Sequence, residues 1–326
     1  MATLTTSYLN MQLKNPVIIG SSGFSKSPEK VEQCEKAGAA AVVLKSLFEE
    51  VLAKSNYGIQ DAIDEHPEAL DYLQSNLELQ YGPKDYLQLI KESKNRVGIP
   101  VIASINCISN KWWPEFAHQV QSAGADALEL NIYNTPHDKS VSSQQIEENY
   151  LEIMDLTRKA VSIPVAMKIG KHFTSLPNLV SKLEMKGING VVLFNRFTDP
   201  DIDINTFKYK TTFSFSKKED IFLPLRWIAI LYQGVKCGLC ASSGVKSGDE
   251  LIKLLLAGAS AVQVAGVLYE KGLGSIGEML TGLHEWMDKH GFEDISQFKG
   301  RLAFAKHSSV DHFLRAQFMD KISEVE

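Results

Sequence analysis

The chain has 326 residues, 44% hydrophobic and 22% charged, enough for one large domain or two small ones. A net charge of -5 and a pI near 6.0 supply no basic field for nucleic acid or an anionic membrane, so the expected partner is a small-molecule substrate. The opening Met-Ala-Thr-Leu-Thr-Thr has no basic stretch leading into an apolar core, and no run of about eighteen apolar residues occurs, which predicts a cytoplasmic protein that spans no membrane.

Four cysteines, Cys34, Cys107, Cys237 and Cys240, are too scattered for a disulfide framework. Cys237-Gly-Leu-Cys240 has C-x-x-C spacing, but it lies in an apolar strand-like run without a second pair or a nearby histidine. It reads as core rather than a redox or zinc site, and no metal is expected.

In chain order, Leu4 to Tyr8 and Met11 to Leu13 alternate like two strands around Leu9-Asn10, predicting a hairpin that plugs one end of the fold. Two kinds of strand-like segment then alternate four times. Proline-led ones are Asn15-Pro16-Val-Ile-Ile19, Ile99-Pro100-Val-Ile-Ala103, Ile163-Pro164-Val-Ala-Met167 and, lacking its proline, Val235-Lys-Cys-Gly-Leu-Cys240. Proline is tolerated there because a strand's first residue need not donate to the ladder.

The other four begin with a helix stop: Ala37-Gly38 running to Leu44, Ala123-Gly124 to Leu130, Lys186-Gly187 to Leu193 and Ala257-Gly258 to Val264. Eight short, nearly all-apolar strands with helical patterns between them predict a parallel sheet buried on both faces. Eight is the number that closes a TIM (β/α)8 barrel. A doubly wound open sheet is the structural alternative, though Gly20-Ser-Ser-Gly23 is too short for a dinucleotide fingerprint. The barrel is assigned to residues 1–300, with residues 301–326 a tail packing on it or on a partner subunit.

Ser27-Pro28 predicts the cap and first turn of helix one, and Trp112-Trp113-Pro114 opens helix three, where the indoles are expected to pack. Two connections are too long for simple turns: Glu49 to about Leu89, and Arg196 to about Phe222. Both follow strand ends at the C-terminal mouth and are expected to wall or cover a site.

The residues at the strand ends lean one way chemically. They are Ser21 and Ser22, Lys45 and Ser46, Asn106, Asn131, Lys168, Asn195, Ser242 to Gly244, and Ala265 with Gly266. Donors dominate and no carboxylate sits directly at a strand end, which suits an anionic or carbonyl-rich ligand better than a metal. The small residues after strands seven and eight fit a phosphate site, or alternatively serve tight turns only.

Lys168 sits among apolar neighbours on an inner strand and must meet an anion or lose its proton. Either it pairs with Glu129 on the adjacent strand, or it faces a cofactor that gains negative charge on reduction, as a lysine near N1 and the C2 carbonyl of a flavin would. Lys45 is read as a second inward lysine.

At these residues the chain resembles the cytosolic class 1 dihydroorotate dehydrogenases, FMN-dependent (β/α)8 barrels. The resemblance runs through Lys14-Asn15-Pro16, Leu44-Lys45-Ser46, Glu129-Leu130-Asn131, Met167-Lys168, Phe194-Asn195, Ser243-Gly244-Val245 and Val264-Ala-Gly266, and covers nearly the whole chain. It implies FMN, a homodimer, and oxidation of dihydroorotate to orotate. It also implies that Ser21, Ser22, Lys45, Ser46, Asn131, Lys168 and Asn195 contact flavin or substrate while Ser243, Gly244, Ala265 and Gly266 hold the phosphate.

The departures fall where substrate is handled. The family continues its fourth strand as Asn-Leu-Ser-Cys-Pro-Asn, with the cysteine as base and the last asparagine on the pyrimidine. Here the positions read Asn131-Ile-Tyr133-Asn134-Thr-Pro136. A carboxamide has no useful basicity near neutral pH, so Asn134 cannot act as that base. Tyr133, His137, Asp138 and Cys107 are the other candidates, His137 having the fitting unperturbed pKa.

The family's Asn-Ser-Met-Gly-Leu-Pro-Asn loop is also missing between Glu49 and Tyr81. The leading expectation is an FMN-dependent oxidoreductase of this type, with Lys45, Asn131, Asn134, Tyr133 and His137 nearest the chemistry. The alternatives are a divergent flavoprotein with another substrate, a flavin-free Schiff-base lyase using Lys168, and a non-catalytic flavin-binding barrel.

Overall fold

The N-terminal hairpin pairs β1 (Thr6–Tyr8) with β2 (Met11–Leu13) and turns at Leu9 and Asn10, whose φ angles are 51° and 57°. Two successive left-handed residues are what a two-residue type I′ turn needs. The computed structural model describes residues 2–48, 82–107, 113–132, 137–196, 200–211 and 214–304, with Arg315 and Met319 as isolated positions.

After the hairpin come β3 (Val17–Ile19), α1 (Pro28–Lys36), β4 (Ala41–Val43), the short β5 (Leu47–Phe48), α2 (Pro83–Arg96), β6 (Val101–Cys107), α3 (Trp113–Ser122) and β7 (Ala127–Ile132). There follow α4 (Ser143–Ala160), β8 (Val165–Ile169), α5 (Leu176–Met185) and β9 (Gly190–Leu193). An antiparallel pair, β10 (Pro200–Asp203) and β11 (Lys208–Thr211), precedes α6 (Phe222–Leu231) and β12 (Gly238–Ser242). The chain continues with α7 (Gly248–Ala257), β13 (Ala261–Val264), α8 (Gly266–Lys271) and α9 (Gly274–His290).

Eight parallel strands run β4, β3, β13, β12, β9, β8, β7, β6, and pairing of β4 with β6 closes the ring. This is the (β/α)8 barrel that the strand count predicts. One buried cluster, including Ile18, Val43, Ile102, Ala166, Val192 and Cys240, fills the interior with Tyr8, Leu9 and Leu13 of the hairpin beneath it. A second, larger cluster lies between the strands and the helices. Burial on both faces is why these strands read as apolar runs.

The hairpin plugs the lower end because Gly190 and Gly238 leave room for it. A Cβ at either would stand 2.7 Å from Leu9 or 2.6 Å from Tyr8.

The two kinds of strand segment have separate physical causes. Gly38, Gly124, Gly187 and Gly258 all have φ between 86° and 118°, the left-handed turn that stops a helix and feeds a strand. The proline-led strands are clamped from neighbours instead. Val101 N–H donates to Asp126 (2.7 Å) and Val165 N–H to Asn189 (2.9 Å), while Glu35, Gln121 and Glu184 each accept from two backbone amides in the loop ahead.

Several boundaries differ from expectation. The connection after β4 ends sooner than predicted, since Pro83 already starts α2; Gly82 precedes it and Asp85 closes the first turn. Residues 49–81 of that connection lie outside the described residues, as do Trp112 and the side chain of Trp113. The segment from Arg196 is not a plain loop but carries the β10–β11 hairpin and a 3-10 turn over Lys218–Ile221. Cys240 is buried in the barrel interior as core, and Cys237 precedes the strand.

Beyond the barrel, Gly300, Leu302 and Phe304 donate backbone hydrogen bonds to Leu255, Leu256 and Ala229, and the Phe304 ring packs against the core.

Candidate active site

At the C-terminal ends of the strands lies a cavity of about 340 Å³. Ser21, Ser22 and Lys45 line one side, and Ser243, Gly244, Ala265 and Gly266 the other. Its volume is in the range of small-molecule sites, about 300–1,000 Å³. Among the described residues none that lines it is acidic, while Lys45 and Arg196 are cationic. A larger cavity, about 610 Å³, opens at the opposite end around the hairpin, the face where barrels keep stability rather than chemistry.

Ser46 joins this mouth through hydrogen bonds. The Ser46 hydroxyl lies 3.0 Å from that of Ser21 and 2.8 Å from that of Ser104, a chain of hydroxyls crossing three strands. It forms where β4 leaves the ring: β4 pairs with β6 only at Val101 and Ile102 and β5 resumes at Ile105. In the gap, the Tyr86 hydroxyl of α2 donates to Ser104 O (2.9 Å) and accepts from Ser104 N–H (2.7 Å).

Asn106, Asn131 and Lys168 occupy one register row across β6, β7 and β8. The Asn195 carboxamide donates to Lys168 O and Ile132 O at 3.2 and 3.0 Å, tying the top of β9 to β8 and β7.

Lys168 does not pair directly with Glu129. Its ammonium donates to the Gln263 carboxamide oxygen at 3.1 Å, and the amide nitrogen of Gln263 donates to Glu129 Oε2. Burial holds the Glu129 carboxyl above the usual carboxylate range, against the opposing pull of Lys168 and of the Gln263 hydrogen bond.

Lys45, expected to be inward and buried, is exposed at the rim, because β4 ends at Val43 and the chain has already reached the mouth. His137 is exposed and does not line the cavity. Tyr133, Asn134 and Pro136 lie outside the described residues, as does the Cys107 side chain.

The sequence reading missed Gln263, Arg196, Phe215 and Tyr269. Gln263 could have been found: it is the polar residue of Ala261-Val-Gln-Val264, inward by alternation. The others had no periodic signal. Arg196 donates to Ser214 Oγ (3.1 Å), Phe215 stacks on Tyr269 with centroids 5.3 Å apart, and the Tyr269 hydroxyl accepts from Gly23 N–H at 2.7 Å. Together they draw the segment before α6 over the strand-eight turn.

The sequence pattern of one protein family, described as Dihydroorotate dehydrogenase, matches residues 3–287. The chain belongs to that family. Among dihydroorotate dehydrogenase relatives, the catalytic subunit of dihydroorotate dehydrogenase B (NAD(+)) from Methanocaldococcus jannaschii is 25% identical over 284 residues, 82% of this chain and 88% of its own. The protein of that name from Pyrococcus abyssi is 24% identical over 306 residues, 91% and 98% of the two chains, and that from Methanosarcina acetivorans 25% over 299 residues, 89% and 93%. The dihydroorotate dehydrogenase family is one of oxidoreductases, and at about a quarter identity the chain is a divergent member. No helix among the described residues is long and apolar enough to cross a membrane.

Proposed function

We propose that this barrel is an FMN-dependent oxidoreductase that moves a hydride between a carbon of a small, carbonyl-rich anion and the flavin. The observation that carries the reading is the mouth itself: a cavity whose described wall has cations and hydroxyls but no acid, beside an inner-strand lysine whose ammonium meets an amide rather than a carboxylate. That donor set suits a phosphate at one end and a ring that gains electrons at the other. Bound FMN would supply the hydride acceptor.

In this reading the turns at Ser243-Gly244 and Ala265-Gly266 hold the phosphate, with Arg196 closing that side. Ser21, Ser22 and Ser46 bind along the middle. Lys168 compensates negative charge, Asn195 braces Lys168 from its backbone, and Asn131 with Lys45 orients the substrate.

Dihydroorotate is the substrate the family name suggests. Asn134, standing where the family has its cysteine base, favours a second reading within the same chemistry: a different small anion, or a base such as Tyr133 or His137. We also propose a homodimer, which equilibrium sedimentation tests; a particle with the mass of one chain overturns it.

The absorption spectrum of the purified protein tests the cofactor. Flavin bands, native or after adding FMN, support it, and a colourless protein that binds no FMN overturns it. Such a protein trapped by borohydride on a carbonyl compound at Lys168 is instead a Schiff-base lyase. Anaerobic addition of dihydroorotate then tests the substrate: bleaching keeps it, and an unchanged spectrum assigns another.

A further inference from the structure

Glu129 is 1% exposed, and its side chain points into the barrel interior from β7. Gln263 stands on β13, the strand directly opposite in the ring, and is itself 3% exposed. The Gln263 amide therefore spans the interior between Glu129 and Lys168. A lysine ammonium can only donate, so Gln263 must present its carbonyl oxygen to Lys168 and its NH2 to Glu129. Glu129 accepts from that NH2 and so holds the second end of the amide. Among the described residues Glu129 Oε1 has no hydrogen-bond partner, so Gln263 is the one such group that Glu129 engages.

We propose that Glu129 is a positioning residue: through the Gln263 carboxamide it fixes the Lys168 ammonium at the floor of the mouth. The inference rests on the reading of that mouth as a flavin site. Glu129 touches neither cofactor nor substrate. It acts by anchoring the far end of the amide whose oxygen the lysine meets, and so sets where the positive charge stands. An apolar residue at 129 leaves the amide's NH2 unsatisfied in a buried interior, so the amide is held at one end only and no longer fixes the ammonium.

The test uses the full chain in four forms: Glu129→Leu, Gln263→Leu, the double variant and Glu129→Gln. In the FMN-loaded proteins the midpoint potential of the flavin is measured. Each single Leu variant is expected to weaken the preference for reduced flavin about tenfold, near 30 mV for a two-electron couple. The double variant should move no further than either alone, because both break one chain of contacts. Glu129→Gln keeps an acceptor for the Gln263 amide and should stay within about twofold of the parent.

Bound flavin with an unmoved potential in Glu129→Leu, additive shifts in the double variant, or a Glu129→Gln variant as impaired as the Leu one each overturn the proposal. A flavin-free arm separates its failure from failure of the flavin reading. Lys168 in cofactor-free protein is labelled with trinitrobenzenesulfonate and quantified by peptide mapping. Several-fold faster labelling in Glu129→Leu and Gln263→Leu, but not in Glu129→Gln, supports the anchor even if no flavin binds; equal rates in all forms overturn it.

Discussion

Gln263 reaches Glu129 from the opposite strand of the barrel, and the contact joins residues 134 positions apart. The carboxyl it meets is buried, and burial holds its pKa above the ordinary carboxylate range. The groups that interact with it are Lys168, Gln263, Tyr8, Tyr86 and Cys240, of which Lys168 and Gln263 oppose the shift.

The sign of the resulting pH dependence is fixed by linkage. A group that holds its proton more tightly when folded contributes stability that is complete below its unfolded pKa and is lost as pH rises through the folded one. Glu129→Gln cannot lose a proton, so it should gain on the parent as pH rises above about 4.3, the ordinary glutamate value, by up to about 1.4 kcal/mol per pH unit until the folded carboxyl has ionised. Urea midpoints of both proteins across that range measure it. A constant difference shows that Glu129 titrates normally.

Tyr86→Phe removes the hydroxyl that serves both the N–H and the C=O of Ser104 at the gap between β4 and β5. Two buried backbone groups lose their partner, so the expected loss is about 1–3 kcal/mol. Chemical denaturation reads it directly. A loss under about 0.5 kcal/mol means that the gap relaxes to satisfy Ser104 another way.

Ser243 has a φ of 81°, and its neighbour Gly244 one of 75°. Left-handed backbone costs a side-chain-bearing residue about 1–2 kcal/mol, so Ser243→Gly should raise the thermal midpoint of the FMN-free protein. At Gly244 an added Cβ would stand 2.2 Å from Ile221 N. Gly244→Ala should therefore displace the turn before α6, cost at least about 2 kcal/mol and release FMN. Equal stability of these two variants contradicts the assignment of strain to position 243 and of close approach to 244.

Asn134→Cys places a thiol where the dihydroorotate dehydrogenase family keeps its base. Positioned general bases contribute about 10²–10⁴-fold, so even a poorly placed thiol should speed bleaching of bound FMN by dihydroorotate at least tenfold. Stopped-flow reduction under anaerobic conditions checks it. No gain means that position 134 is not the sole change in substrate handling and points to residues 49–81, where the family's substrate loop has no counterpart in sequence.

Much of the candidate site could be read from the chain because it sits at strand ends. Ser21, Lys45, Ser243 and Gly266 each follow an apolar run, and where such runs stop is a local property. Which side of the mouth they share is not local, and neither is the part played by Ser214 to Ser216. These residues have no periodic pattern and meet Gly266 only because Arg196 and Tyr269 hold that segment down.

Strand number, parallel direction and the alternation of proline-led and glycine-stopped segments were determined by the sequence alone. Each depends on a few adjacent residues: a φ only glycine adopts easily, an amide proline lacks, an apolar run. The partner of Lys168 was decided by tertiary structure. Glu129 on the neighbouring strand was one of two candidate counter-charges, yet closing the ring sets Gln263 between them. Distance across a closed barrel is fixed by the number and register of all eight strands, and no window of sequence contains it.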